Sequence, residues 1–268
     1  MPRIEVTRRS FQNGIAWIGL ALVAISIAWL GVLPWHGPGT GAPPLREARP
    51  PGAIKCVIID AGHGGQDSGA IQAGVQEKDL TLDVARRVEW LLRAQGLRTV
   101  LTREGDEAVS LAQRATLANR QRDGVFVSIH FNEGGRSAAM GVQTFYATRQ
   151  LSNLGLVATW LPFLQQISTA PANLESQSLA AFVQKSLVGR TQAFDRGTHA
   201  EQFYVVAHVR HPAVLVEGGF LSNREEMAKL VTEGYRQQLA EAISEGVMRY
   251  RDVAGQQSAV AGPEEPRT

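Results

Sequence analysis

Between residues 54 and 252, short apolar runs of strand length alternate with stretches in which apolar residues recur at helical spacing. A strand over 56–60 is followed by a glycine-rich loop and a helix that begins near Asp79. In that helix Leu80, Val84, Val88 and Leu91 share one face, and Asp79 is placed to cap the first turn. Gly96 ends it, and 98–102 forms the next strand. Ser110 caps a second helix that turns Leu111, Ala115 and Ala118 inward. Residues 125–130 are continuously apolar, the pattern of a strand covered on both faces. A strand at 141–147, a helical region at 151–190 interrupted by Pro162 and Pro171, a strand at 213–217 and a helix at 235–250 complete the series. Alternating strands and helices predict an α/β fold: a single three-layer domain whose mostly parallel or mixed central sheet is flanked by helices.

The ends have a different pattern. Residues 15–33 contain no charged side chain. As a helix they would span about 28 Å, close to the ~30 Å hydrocarbon core of a bilayer. Trp17, Trp29 and Trp35 lie towards the ends of the run, where indoles favour the membrane interface. Arg3, Arg8 and Arg9 precede it against Glu5, whereas Arg46 and Arg49 follow against Glu47. This bias predicts a cytoplasmic segment 1–14, a single transmembrane anchor 15–33 and an exported remainder. A cleavable signal peptide is the alternative, but its best small-residue site, Thr40-Gly41-Ala42, runs into Pro43. Residues 34–53 are rich in proline and glycine and read as a tether, 54–252 as the folded domain, and 253–268 as a disordered tail.

A net charge of +2 provides no basic field for nucleic acid, so no nucleic-acid partner is expected. The single cysteine, Cys56, excludes an internal disulfide and leaves any metal to histidine and carboxylate ligands.

Candidate chemistry gathers where strands end. His63 follows Val57-Ile58-Ile59-Asp60-Ala61-Gly62, His130 closes Val125-Phe126-Val127-Ser128-Ile129, and Glu217 closes Ala213-Val214-Leu215-Val216. In open α/β sheets functional groups collect beyond the C-terminal strand ends. Glu77 precedes the first helix, beside Lys78. Two imidazoles and two carboxylates suffice for a hydrolytic zinc centre with three ligands, an open position and a base. The loop from Asp60 to Ala70 lacks the endings of a P-loop or dinucleotide fingerprint, and its glycines keep the space around His63 open. Asp60 is a candidate acceptor for orienting an imidazole. Gly218-Gly219 would leave room in front of Glu217. His208, His211 and His199 lack helical zinc-ligand spacing and read as surface or loop residues, and His36 belongs to the tether.

Four motifs in order carry a resemblance: Asp60-Ala61-Gly62-His63-Gly64-Gly65, Glu77-Lys78-Asp79, Ser128-Ile129-His130-Phe131-Asn132 and Val216-Glu217-Gly218-Gly219-Phe220-Leu221-Ser222-Asn223. Across 55–250 the chain resembles the zinc-dependent N-acetylmuramoyl-L-alanine amidases, bacterial cell-wall enzymes of the cell-separation and spore-cortex type. The resemblance implies one zinc ion held by His63, Glu77 and His130, with Glu217 as the catalytic carboxylate. It implies hydrolysis of the amide between N-acetylmuramic acid and the L-alanine of the peptidoglycan stem peptide. Ser68, Gly218 and a loop one residue shorter between His63 and Glu77 depart from the family pattern. Asn132 and Arg114 either contact substrate or brace the loops. Division-associated relatives carry an autoinhibitory helix in the interval 151–178, which makes Glu175 a candidate blocking acid and a protein activator a candidate partner. Ordinary electrostatics at a helix N-terminus is the competing account of Glu175. A peptidoglycan-binding or regulatory module without strong catalysis, or a zinc peptidase cutting within the stem peptide, are the alternative functions.

Overall fold

The computed structural model describes residues 54–134, 138–151 and 173–260. The expected anchor at 15–33, its flanks and the apolar stretch between 152 and 172 lie outside the described residues. Among the described residues no helix is long and apolar enough to cross a membrane.

Six strands form one mixed sheet in the order β4-β1-β5-β8-β6-β7. Strands β1 (Cys56–Ala61), β4 (Arg98–Leu101), β5 (Gly124–Asn132) and β8 (Ala213–Phe220) run parallel to one another. β6 (Val142–Tyr146) pairs antiparallel with β8, and β7 (Asp195–Ala200) lies parallel to β6 at the edge. A two-residue turn at Ala73 and Gly74, both with positive φ, joins the short hairpin strands β2 (Ile71–Gln72) and β3 (Val75–Gln76).

Side-chain alternation along the strands divides the core in two. Val57, Ile59, Val125, Val127, Val214 and Val216 face three long helices: α1 (Glu77–Ala94), α3 (Leu174–Thr191) and α6 (Glu233–Val260). Cys56, Ile58, Phe126, Ala213 and Leu215 face the short helices α2 (Leu111–Asn119) and α4 (Tyr204–Ala207). Helix α5 (Arg224–Leu230) follows β8. Each fully buried large aliphatic side chain contributes about 1.5–3 kcal/mol relative to exposure, so the thick helical face carries most of the hydrophobic stabilisation. The three-layer α/β expectation holds, with unequal layers.

Several boundaries differ from the sequence reading. β8 continues through Gly218 and Gly219 to Phe220, which leaves Glu217 inside the strand. α1 starts at Glu77 from Gln76 without a side-chain cap, so Asp79 lies within the first turn and does not cap it. Ser110 caps α2 as expected, in a reciprocal box with Gln113. Leu111 is exposed, however, while Ala115 and Ala118 are buried as anticipated. α6 runs on to Val260, so the first part of the expected disordered tail is helical.

Candidate metal centre

On the thin face, alternate strand positions change from apolar to polar towards the C-terminal ends of the parallel strands. Cys56 and Ile58 give way to Asp60 on β1, Phe126 to Ser128 and His130 on β5, and Ala213 and Leu215 to Glu217 on β8. Asp60 lies opposite Ser128, and His130 opposite Glu217. The polar ends of three neighbouring strands therefore form one floor.

His63 reaches that floor from the loop after β1, with a left-handed backbone at φ 61°. Two buried arginines hold the loop by its carbonyls. Arg103 donates to Ala61 and Gly62 carbonyls at 3.0 and 2.8 Å. Arg114 donates to the carbonyls of Ala61, His63 and Val109 and to Asp60 Oδ1. Glu77 arrives through the hairpin, which returns the chain so that Glu77 N–H donates to the Ala70 carbonyl and Ala70 N–H to Glu77 Oε2. Two glycines permit the close approach. A side chain on Gly62 would collide with the His130 ring, and one on Gly69 would come within 2.5 Å of Glu77 Oε2.

Three donor atoms converge as a result. His63 Nε2 and His130 Nδ1 each lie 3.0 Å from Glu77 Oε1, and the two nitrogens lie 3.2 Å apart. A tetrahedral zinc set at about 2.0–2.1 Å has edges of roughly 3.3 Å, so the triangle matches one face of such a set. Three lone-pair donors this close repel unless a proton or a cation lies among them, and the donor chemistry suits a divalent metal. His63 Nδ1–H donates to Asp67 Oδ2 at 2.9 Å, which fixes the tautomer that leaves Nε2 free to ligate. Burial disfavours a charged His63, but the Glu77 and Asp67 carboxylates outweigh it and raise its pKa. For Glu77, burial is outweighed by hydrogen bonds to His130, His63 and the Phe131 amide, and its carboxyl is held far below the usual range.

Glu217 completes the floor. Its Oε2 is buried and receives no hydrogen bond among the described residues. Burial, followed by the nearby Glu77 charge, pushes its carboxyl well above the ordinary value. A buried, unpartnered carboxylate oxygen is costly, and Glu217 sits opposite the donor His130 across the sheet, which marks it as a functional-site candidate. On the α2 side an open cleft of about 450 Å³ is lined by His63, Gln66, Ser110, Leu111, Gln113 and His130.

The structure thus gathers His63, Glu77, His130 and Glu217, as the sequence reading required. Other expectations change. Asp60 orients no imidazole: its oxygens accept from Thr102, Arg114 and Ser128. Asp67 has the orienting role, and the sequence Asp67-Ser68-Gly69 after His63 gave no hint of it. Arg114 is a brace, buried with its hydrogen bonds directed at the loop. Arg103, unassigned from sequence, is its partner. Asn132 ends β5 half-buried, its carbonyl accepting from Leu221 N–H. Gly218 opens no room before Glu217, because it faces the opposite side, where a Cβ would lie 2.8 Å from Phe131 Cε1. Glu175 cannot block the donors from its place in the first turn of α3. The next residue, Ser176, accepts from Ala213 N–H at the start of β8, the opposite end of the sheet from the metal donors. His208 stacks on Tyr204, His199 lies against Phe145 and His211 bonds the Ala118 carbonyl, all outside the donor cluster.

Comparison with known proteins agrees with this geometry. The N-acetylmuramoyl-L-alanine amidase family profile matches residues 57–249. LytC, an N-acetylmuramoyl-L-alanine amidase of Bacillus subtilis (strain 168), is 33% identical over 214 residues, covering 80% of this chain but 39% of LytC. AmiA of Escherichia coli (strain K12), also an N-acetylmuramoyl-L-alanine amidase, is 31% identical over 231 residues, 76% of this chain and 78% of AmiA. The crystal structure of the amidase from Clostridium difficile 630 superposes with a TM-score of 0.62 at 34% identity, over 75% of this chain and 98% of that one. The CwlD amidase from Clostridioides difficile, solved in complex with the GerS lipoprotein, gives 0.63 at 28% identity, over 74% and 99%. With the four motifs, the mixed sheet and the metal-donor floor all in agreement, this chain belongs to the N-acetylmuramoyl-L-alanine amidase family.

Proposed function

We propose that the chain hydrolyses the amide between N-acetylmuramic acid and L-alanine in peptidoglycan, using one zinc ion held by His63, Glu77 and His130. The observation that supports this most directly is the convergence of three donor atoms at 3.0–3.2 Å beside the unpartnered Oε2 of Glu217. When bound, zinc acidifies water and polarises a carbonyl, the two things amide hydrolysis needs. Glu217 Oε2 takes the proton from the attacking water and passes it to the departing alanine nitrogen, so one carboxyl acts first as base and then as acid. Asp67 holds the His63 ring, while Arg103 and Arg114 keep the loop carbonyls, and with them the ring, in place. Asn132, at the end of β5, is proposed to contact substrate.

Family membership supports action at the cell envelope or outside the cell. The charge-free run 15–33 is proposed to anchor the domain to the cytoplasmic membrane, with 34–53 as tether and catalysis on the outer side. Such a protein acts on wall remodelling or cell separation. A protein activator is a further proposed partner, supported by the capture of CwlD with the GerS lipoprotein.

The full-length protein should release intact stem peptides from muropeptides. Mass spectrometry of the products tests this: chelation should abolish release and zinc should restore it. Shortened stems would indicate a peptidase, and binding without cleavage a wall-binding module.

A further inference from the structure

The polar floor does not stop at Glu217. Across the sheet, Gln143 of β6 pairs with Glu217 of β8, and its side chain lies on the same thin face as Phe145, which pairs with Leu215. Gln143 is buried, and its Oε1 accepts from Arg196 Nε of β7 at 3.1 Å. The row His130, Glu217, Gln143, Arg196 therefore crosses four neighbouring strands at one level. Arg196 is exposed, fixed by Gln143, by the Met140 carbonyl at 3.4 Å and by the Phe220 ring 5.1 Å from its guanidinium carbon.

Charge around the centre is distributed unevenly. Arg103 and Arg114 are buried and committed to loop carbonyls, and Lys78 pairs with Asp106. Arg196 forms no ion pair among the described residues. Glu226, which feels its charge, directs both oxygens to the amides of Gly141 and Phe220. On the opposite side of the donors the α2 cleft is lined by neutral groups, the exposed acid Asp67 and the buried, mutually paired Asp60 and Arg114, so its lining offers no unpaired arginine or lysine and suits a neutral sugar better than an anion.

We infer that Arg196, pre-oriented by Gln143 and Phe220, binds a carboxylate of the substrate's peptide, so that the peptide runs over β8, β6 and β7 and the muramoyl group occupies the α2 cleft. The inference rests on the amidase reading and adds its direction and specificity. From β8 to β7 is two strand spacings, roughly 10 Å, the length of about three extended residues. A carboxylate one to three residues beyond the scissile amide is therefore within reach of a side chain as long as arginine. The planar guanidinium suits a carboxylate, and a fork already held at Nε and over a ring loses little freedom on binding it.

The test uses zinc-loaded, full-length protein and muramoyl peptides in which each peptide carboxylate is amidated in turn. Against the free acid, Arg196→Ala should raise KM about 10- to 100-fold with kcat changed less than about threefold, as expected for loss of a charged hydrogen bond made equally in ground and transition states. Arg196→Lys should fall between the two. Amidating the recognised carboxylate should raise the wild-type KM by a similar factor and leave the KM of Arg196→Ala unchanged. Wild-type turnover with an Arg196→Ala effect that is absent, or equal on every amidated substrate, would overturn the inference alone. No turnover of any substrate by the wild type would remove the amidase reading and this inference with it.

Discussion

The two faces of one sheet are built from the same strands and put to opposite uses. On the thick face β1, β5 and β8 present Val57, Ile59, Val125, Val127, Ile129, Val214 and Val216, and α1, α3 and α6 seal them from water. On the thin face the same strands begin with Cys56, Phe126 and Ala213 under two short helices, then present Asp60, Ser128, His130 and Glu217. A floor with buried, repelling polar groups costs stability, and the three-helix layer behind it supplies the compensation. The comparison teaches a division of labour: substitutions on the thick face should be felt in unfolding, and those on the polar floor in metal affinity or turnover.

Leu187→Ala offers the largest expected stability effect. This fully buried α3 side chain belongs to the thick-face core, and its truncation should cost about 2–5 kcal/mol in denaturant unfolding. Zinc affinity and turnover per folded molecule should stay at wild-type values; a parallel loss of metal would show that the faces are not separable. Asp67→Ala probes the other side. Losing the acceptor for His63 Nδ1–H should weaken zinc binding about 10- to 100-fold in competition titrations, with the metal-free unfolding midpoint nearly unchanged. A drop in metal-free stability as large as that of Leu187→Ala would give Asp67 a structural role instead.

The smallest effect concerns Asp83, which joins α1 to α6 through Arg236 and pairs with Arg87. Burial raises its pKa, but the two arginines more than reverse this, so the folded value lies below the unfolded one. The stabilisation is therefore present above the ordinary carboxylate range and is lost as pH falls through the lowered folded value. Its partial exposure limits the contribution to below about 1 kcal/mol. Asp83→Asn should remove a stability difference that exists at pH 7 and vanishes in acid; a difference that grows in acid would reverse the assignment.

Much of this was legible in the residues, for a physical reason. Strands sheathed on both faces must be continuously apolar, so a histidine or glutamate at the end of such a run stands out, and His63, His130 and Glu217 all did. Less visible was whatever depends on partners far along the chain. Asp60 is buried against Thr102, Arg114 and Ser128, and nothing in its neighbouring residues distinguishes that from orienting an imidazole. β7, Asp-Arg-Gly-Thr-His-Ala, is a polar edge strand with no hydrophobic alternation to announce it. Gly218-Gly219 read as a strand end, but Phe131 fills the space beside Gly218 and β8 continues. The extension of α6 beyond residue 252 is small and polar in sequence, and tertiary docking of Ala254 helps to hold its first part. Glu175 had the right residue type in the right interval, but only the sheet topology reveals that it lies at the wrong end.

The central claim is that His63, Glu77 and His130 hold a zinc ion while Glu217 moves the proton. Measuring zinc content and turnover together on Glu217→Gln tests it most directly. The account predicts one zinc per chain, an unchanged unfolding midpoint and hydrolysis reduced about 100- to 10,000-fold. A variant that keeps its zinc and hydrolyses muropeptides at the wild-type rate would contradict it.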